Sequence, residues 1–71
     1  IHERIGSLSM REHQVIELIL DGKLNKQIAF ELSISISTVE AHRANIMRKM
    51  KAKNLAQLIK WYLQAQLDND N

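Results

Sequence analysis

Basic side chains that could bind phosphate are concentrated in the middle of the chain. Between positions 23 and 53, seven Lys and Arg residues accompany only two Glu residues, which gives this segment a formal charge of +5; residues 1–22 carry −2 and residues 54–71 carry −1. Such a concentration of positive charge is typical of a surface that contacts nucleic-acid phosphates. A solvated helix face rich in Lys has the same composition, so charge alone leaves both interpretations open.

The sequence offers little for catalysis or metal binding. It contains no Gly-rich phosphate loop and no nucleophile spaced from a base as in known catalytic motifs. The three histidines, His2, His13 and His42, are far apart and match no metal-binding pattern. Cys is absent, which excludes disulfides and thiolate metal sites and fits a reducing compartment. We therefore expect neither an enzyme nor a bound cofactor or metal.

Length and composition favour one small helical domain. The 71 residues, 45% hydrophobic and 25% charged, are enough for a single globular unit. Two Gly and no Pro argue against strands joined by tight turns. No apolar run could span a membrane and no signal peptide is visible, so we expect an intracellular, cytoplasmic protein. The start at Ile1 rather than Met suggests a piece of a longer chain.

Capping residues and apolar periodicity predict four helices, which must position the basic residues. The first begins after Ser9 in an S-x-x-E capping box and ends at Gly22. The second follows Asn25 as N-cap and ends near residue 33, and the third follows Ser35 and ends at residue 50 or 51. The fourth begins after Asn54 and frays in a polar tail at residues 68–71.

Residues 32–37 alternate apolar and polar side chains, which by period alone predicts a half-buried strand. No other segment alternates in this way, and a lone strand would have no pairing partner. We therefore interpret these residues as a short turn followed by an N-cap.

The third predicted helix has one apolar and one polar face. At about 100° per residue, Val39, Ile46 and Met50 share the side expected to form core. The other side has small, polar or basic residues: Ser37, Ala41, Ala44, Asn45 and Arg48, with Glu40 at its edge. Small side chains let a helix backbone approach a DNA groove, and Asn and Arg can donate to bases or phosphates. A short helix, a three-residue link and this longer helix are the arrangement of a helix-turn-helix motif.

Three motifs then resemble a known family. They are LSMREHQVI at residues 8–16, GKLNKQIA at 22–29 and STVEAHRANIMRKM at 37–50. In order and spacing they resemble the LuxR/FixJ-type DNA-binding output domain of bacterial transcription regulators, over residues 8–63. The resemblance implies an all-α, four-helix helix-turn-helix domain at residues 9–67, preceded at residues 1–8 by the end of an interdomain linker. It also implies an N-terminal receiver domain, absent from this chain, of a two-component response regulator.

The resemblance assigns roles to individual positions. Lys26 and Thr38 match phosphate-contacting residues, and the positions in or near the major groove are Ser37, Glu40, Ala41 and Ala44. Several relatives have Lys where this chain has Glu40, so their base preference does not carry over to this chain; Glu can accept from the amino group of cytosine.

Other basic and aromatic residues have two interpretations each. Arg43 lies beside the core face, so its stem could pack while its guanidinium reaches a phosphate. Arg48 and Lys49 are expected to contact the DNA backbone rather than bases. We expect His42 to pack or to bond backbone, with a phosphate contact as the alternative. Phe30 points away from the apolar face of its helix, and the sequence gives no account of it.

The resemblance further implies a homodimer, formed through the fourth helix, that binds an inverted repeat of double-stranded DNA. Trp61 could anchor this dimer, since Trp is a frequent hot-spot residue, or pack against Ile1 or Ile5. The predicted dimer residues are Leu58, Trp61, Tyr62 and Ala65. The alternative function is a helical module that docks an acidic protein partner.

Overall fold

Five helices and the loops between them make up residues 2–69, the part of the chain described in this computed structural model, with side chains described for residues 3–68. They are α1 (His2–Gly6), α2 (Met10–Leu20), α3 (Asn25–Leu32), α4 (Ile36–Met50) and α5 (Leu55–Asn69). Residues 2–69 contain no strand, so the all-α prediction is confirmed, and α2 to α5 correspond to the four predicted helices. None of these helices is both long and apolar enough to cross a bilayer.

Two of the helices, α2 and α4, begin with a serine side chain that caps the first turn. At α2, Ser9 Oγ accepts from the Glu12 amide at 3.1 Å while Glu12 Oε1 accepts from the Ser9 amide at 2.8 Å. At α4, Ser35 Oγ accepts from the Thr38 amide at 3.0 Å. Each bond satisfies an amide that the first helical turn leaves without a partner, so both predicted N-caps are confirmed.

The N-cap of α3 is shifted by one residue from the prediction. Asn25 is already helical, and Leu24 occupies the cap position, where it has no oxygen in its side chain. Gln27 Oε1 accepts from the Leu24 amide at 2.7 Å instead. The prediction of Asn25 as N-cap was therefore wrong, because the Gln27 side chain caps the Leu24 amide and α3 begins one residue earlier than predicted.

A residue with left-handed backbone conformation follows each of the helices α2, α3 and α4. Gly22 follows α2 with φ of 82°, as predicted, while Ser33 ends α3 at φ 58° and Lys51 ends α4 at φ 55°. Residues 33–35 therefore form a tight link between α3 and α4. The interpretation of residues 32–37 as a turn and N-cap is confirmed, and the strand is excluded.

The core lies between α2, α3, α4 and α5. From α4, Val39, Ile46 and Met50 are completely buried, as their periodicity predicted. They pack in one cluster with residues of the other helices, including Val15, Ile16, Ile28 and Leu58. One side of α4 is thus fully used for packing, and its other side is left at the surface.

α1 was not predicted, since residues 1–8 were expected to be linker. Arg4 joins this short helix to the rest of the domain: its guanidinium donates to the Met50 carbonyl at 3.5 Å and lies 5.7 Å from the centre of the Trp61 ring. At the other end, α5 continues to Asn69, beyond the predicted start of fraying at residue 68. Residues 1, 70 and 71 lie outside the described residues.

Candidate nucleic-acid interface

Three hydroxyl groups meet at the N-terminus of α4. Ser35 Oγ lies 3.0 Å from Ser37 Oγ and 2.8 Å from Thr38 Oγ1, and all three residues are exposed. They surround the end of the helix where backbone amides and the helix dipole favour an anion. Ser37 and Thr38, both predicted site residues, can therefore donate hydrogen bonds to a phosphate at this end.

The outward side of α4 has small side chains near its centre. Glu40, Ala41 and Ala44 are exposed, as the helical periodicity predicted, and stand opposite the buried Val39 and Ile46. Two methyl groups project little beyond the backbone, so a groove edge can approach the helix closely. Glu40 is the one acidic side chain on this face, and its carboxylate can only accept a hydrogen bond when ionised.

Further along the same side, Asn45 and Arg48 contact each other. Arg48 Nη2 donates to Asn45 Oδ1 at 3.3 Å, and both side chains are exposed. The bond uses the Asn45 oxygen and leaves its amide group as a donor. Lys26 is also exposed, in the first turn of α3, the helix that makes the most extensive packing with α4. These three residues are positioned by helices whose inner faces are fixed in the core.

Arg43 and His42 lie at the edges of the buried side of α4. Both are half-buried. The Arg43 side chain lines a cleft of about 420 Å³ between α4, the α2–α3 loop and the start of α5, together with Gly22, Leu24 and Leu55. The half-burial of Arg43 agrees with a stem that packs beside the core, and whether its guanidinium reaches a phosphate stays a prediction.

Lys49 differs from the other predicted DNA-contacting residues. Its Nζ donates to Glu12 Oε1 at 2.8 Å and to the Ser7 carbonyl at 3.3 Å, so the ammonium group is engaged within the domain. Glu12 is 4% exposed. Burial by itself would raise the pKa of the Glu12 carboxyl, but hydrogen bonds from Lys49 and the Ser9 amide, with the Lys49 charge, outweigh burial and lower it.

Three of the four predicted dimer residues are in the core of the single chain. Leu58, Tyr62 and Ala65 are 2%, 3% and 1% exposed, so their side chains are not available at the surface to a second copy. Trp61 is half-buried and packs on the core beside Arg4, which corresponds to its alternative interpretation as a packing residue. The apolar stripe on α5 was identified correctly but attaches α5 to its own domain.

Tyr62 also belongs to a polar group that the sequence did not reveal. Its hydroxyl donates to Glu17 Oε1 at 3.1 Å and lies 3.0 Å from His13 Nδ1. Burial, followed by the charge and hydrogen bond of Glu17, raises the pKa of Tyr62 to about 12. No group of three or more potential metal-ligating side chains occurs in the described part of the chain.

Comparison with known proteins agrees with this arrangement. Residues 6–62 match the family described as "Bacterial regulatory proteins, luxR family". A capped short helix, a tight link and a longer helix with one exposed side define a helix-turn-helix domain of DNA-binding transcription regulators. The chain belongs to the luxR family of bacterial regulatory proteins.

Individual relatives of the chain are also bacterial regulators. The chain is 49% identical over 65 residues to the transcriptional regulatory protein FixJ of Azorhizobium caulinodans, covering 92% of this chain and 31% of that protein. It is 52% identical over 60 residues to the response regulator protein TodT of Pseudomonas putida, covering 84% and 26%. The chain thus spans about a third or less of the length of these relatives.

Two solved structures have the same fold. The response regulator StyR superposes with a TM-score of 0.85 at 43% identity, over 89% of this chain and 32% of that one. Full-length FixJ from B. japonicum superposes with a TM-score of 0.82 at 45% identity, over 94% and 33%. The predicted LuxR/FixJ-type helix-turn-helix fold is confirmed.

Proposed function

We propose that the domain recognises a specific double-stranded DNA sequence by placing α4 in the major groove. The observation that carries this proposal is the exposed side of α4, where Ala41 and Ala44 lie between hydroxyl groups at the N-terminus and Asn45 with Arg48 further along. The groove of B-DNA admits one α-helix, and small side chains allow the helix to lie deeply in it.

Phosphate contacts would fix the register of α4 on the duplex. We assign these contacts to Thr38 and Ser37 at the start of α4, to Lys26 at the start of α3, and to Arg48. Such contacts supply affinity for any sequence, whereas base contacts supply discrimination. Two residues on this side can select a base: Glu40 by accepting a hydrogen bond from cytosine, and Asn45 by donating one.

We infer that the whole protein is a two-component response regulator acting in the bacterial cytoplasm, in which this domain is the output domain and a receiver domain precedes it. FixJ is named a transcriptional regulatory protein and TodT a response regulator protein, and both are about three to four times longer than the matched segment. We further propose that two copies bind an inverted repeat, with α5 as the contact between them. Because Leu58, Tyr62 and Ala65 are buried, the contact uses the exposed residues of α5, among them Leu63, which is 42% exposed.

Selection of bound duplexes from a random pool, followed by binding to the selected and shuffled duplexes, tests the proposal. We expect a preference of about a thousandfold or more and a selected site with two-fold symmetry. A basic module that docks acidic proteins would bind both duplexes equally, and that result would reject DNA recognition. Leu63→Lys should weaken binding to the full inverted repeat while leaving binding to a half-site unchanged.

Salt dependence tests the phosphate contacts separately. Lys26→Ala and Arg48→Ala should each reduce the slope of log affinity against log salt by about one unit. Arg11→Ala is the matched control, since Arg11 is an exposed cation on α2, outside both the proposed DNA surface and α5. An unchanged slope in either variant would remove that residue from the interface.

A further inference from the structure

One charged side chain of α2 is held almost out of solvent at the C-terminal end of α4. Glu12 is 4% exposed, and its Oε1 accepts both from the Ser9 amide at 2.8 Å and from Lys49 Nζ at 2.8 Å. Glu12 therefore has two duties, since it completes the N-cap of its own helix and pairs with a residue 37 positions away. Lys49 additionally donates to the Ser7 carbonyl, so it joins α4 to the segment just before α2.

The ion pair lies at the opposite end of α4 from the residues that are proposed to enter the groove. Lys49 is the residue before the last of α4, whereas the exposed Ser37, Ala41 and Ala44 lie in the first two thirds of the helix. A helix of 15 residues is about 22 Å long. A tilt of about 5° at one end therefore moves the other end by roughly 2 Å, and recognition sites need geometry held within about 0.5 Å.

The Lys49–Glu12 pair adds a directional contact to the apolar packing at this end of α4, where Arg4 also donates to the Met50 carbonyl at 3.5 Å. The apolar contacts of the buried Ile46 and Met50 have no preferred direction of their own. The bond from Lys49 to Glu12 is directional, and Glu12 is itself held by the rigid first turn of α2. A buried ion pair generally adds little net stability compared with apolar residues, so a role in geometry accounts better for its presence.

We propose that Glu12 is a positioning residue for DNA recognition, which acts through Lys49 to set the angle between α2 and α4. This inference rests on the proposed function. It assigns the half-buried Lys49 to a bond within the domain and removes it from the predicted phosphate contacts. Glu12 touches no DNA, and its effect is on where α4 presents Ser37, Ala41 and Ala44.

Lys49→Met and Glu12→Gln test the proposal. Gln at position 12 can still accept from the Ser9 amide, so the N-cap of α2 is retained in that variant. We expect either change to lower affinity for the selected duplex by about tenfold, with little change in affinity for a shuffled duplex or in the salt slope. The double variant should be no weaker than Lys49→Met alone, because Glu12 acts on α4 through Lys49. Lys49→Arg, unlike Lys49→Met, should retain the affinity of the wild type, since Arg can also donate to Glu12.

Two controls separate this role from the alternatives. Lys53→Met removes an exposed cation close to the end of α4 and should leave the preference for the selected duplex unchanged. If Lys49 instead contacted phosphate, Lys49→Met would reduce the salt slope by about one unit and weaken binding to both duplexes. Either that result or an unchanged preference in Lys49→Met and Glu12→Gln would overturn the proposal.

A measurement without DNA gives the decisive readout. Residual dipolar couplings of backbone amides in α2 and α4 report the angle between the helices in the free protein. We expect this angle to change in Glu12→Gln and to remain that of the wild type in Lys53→Met. A lower melting temperature with an unchanged angle would show a merely structural role and overturn the proposal. A wild-type protein without duplex preference would instead refute the proposed function, even if the angle changed.

Discussion

The hydroxyl of Tyr62 on α5 donates a hydrogen bond to Glu17 on α2, over 3.1 Å. A carboxylate can only accept, so the phenol proton is directed to Glu17 and the phenol oxygen accepts from His13 Nδ1 at 3.0 Å. Gln66 donates to the same Glu17 oxygen at 3.1 Å. The C-terminal helix is thus attached to α2 by polar bonds as well as by the burial of Leu58 and Ala65.

This arrangement predicts loss of stability at alkaline pH. Burial and Glu17 raise the pKa of Tyr62 from 10.0 to about 12, so the folded state binds the phenol proton more tightly than the unfolded state does. The resulting stabilisation is complete below pH 10 and is lost as the pH rises towards 12. Urea unfolding should show a loss of about 1 kcal/mol between pH 9 and 11 that Tyr62→Phe lacks. An equal loss in both proteins would contradict the role of Tyr62.

The lowered pKa of Glu12 predicts that the domain also loses stability at acid pH. Its pKa is below the ordinary 4.5, so the unfolded state binds the proton more tightly than the folded state. The stabilisation is present above pH 4.5 and is lost as the pH falls through the lower pKa of the folded protein. Glu12→Gln does not titrate, so its unfolding free energy should fall less between pH 6 and 3 than that of the wild type.

At neutral pH, Glu12→Gln should destabilise the domain by about 1 to 3 kcal/mol, since Lys49 loses its charged partner. Urea unfolding at pH 7 and at acid pH measures both effects in one series. A variant that is as stable as the wild type at pH 7 and has the same acid dependence would show that the pair does not form in solution.

The N-cap of α4 provides a stability test that does not depend on a buried charge. Ser35→Ala removes the acceptor of the Thr38 amide and should cost about 1 kcal/mol in the free energy of unfolding. Ser37→Ala is the matched control: Ser37 Oγ contacts Ser35 Oγ, but among the described residues it accepts no hydrogen bond from a backbone amide. The control should stay within about 0.5 kcal/mol of the wild type. Equal effects from both substitutions would exclude Ser35 as the cap.

Local signals explain why most of the fold could be predicted from the sequence. A cap bond spans three residues, as in Ser9 with Glu12 or Ser35 with Thr38, so the letters that encode it are adjacent in the chain. The buried side of α4 was likewise visible as helical periodicity. α1 had no such signal, because Arg4 is held by the carbonyl of Met50, 46 residues away.

The contacts of the candidate site could be predicted less well from short-range signals in the sequence. The position of Lys49 near the basic end of α4 indicated a DNA contact, and nothing within a few residues pointed to Glu12. Similarly, periodicity showed that Leu58, Tyr62 and Ala65 form an apolar stripe but not which surface covers it. Distant pairing decides both questions, and one sequence does not encode that pairing in its spacing.

The final prediction concerns the close approach of α4 to DNA. Ala44→Glu places a longer, negatively charged side chain in the centre of the exposed side of α4, where it would meet the duplex. Like charges at an interface cost several kcal/mol, so the affinity for the selected duplex should fall by more than about a hundredfold. Because Ala44 is exposed, the free energy of unfolding should change by less than about 0.5 kcal/mol. Gln14→Glu adds the same charge at an exposed position of α2 and should retain binding. If Ala44→Glu bound the duplex as the wild type does, α4 could not lie in the groove with this side inward.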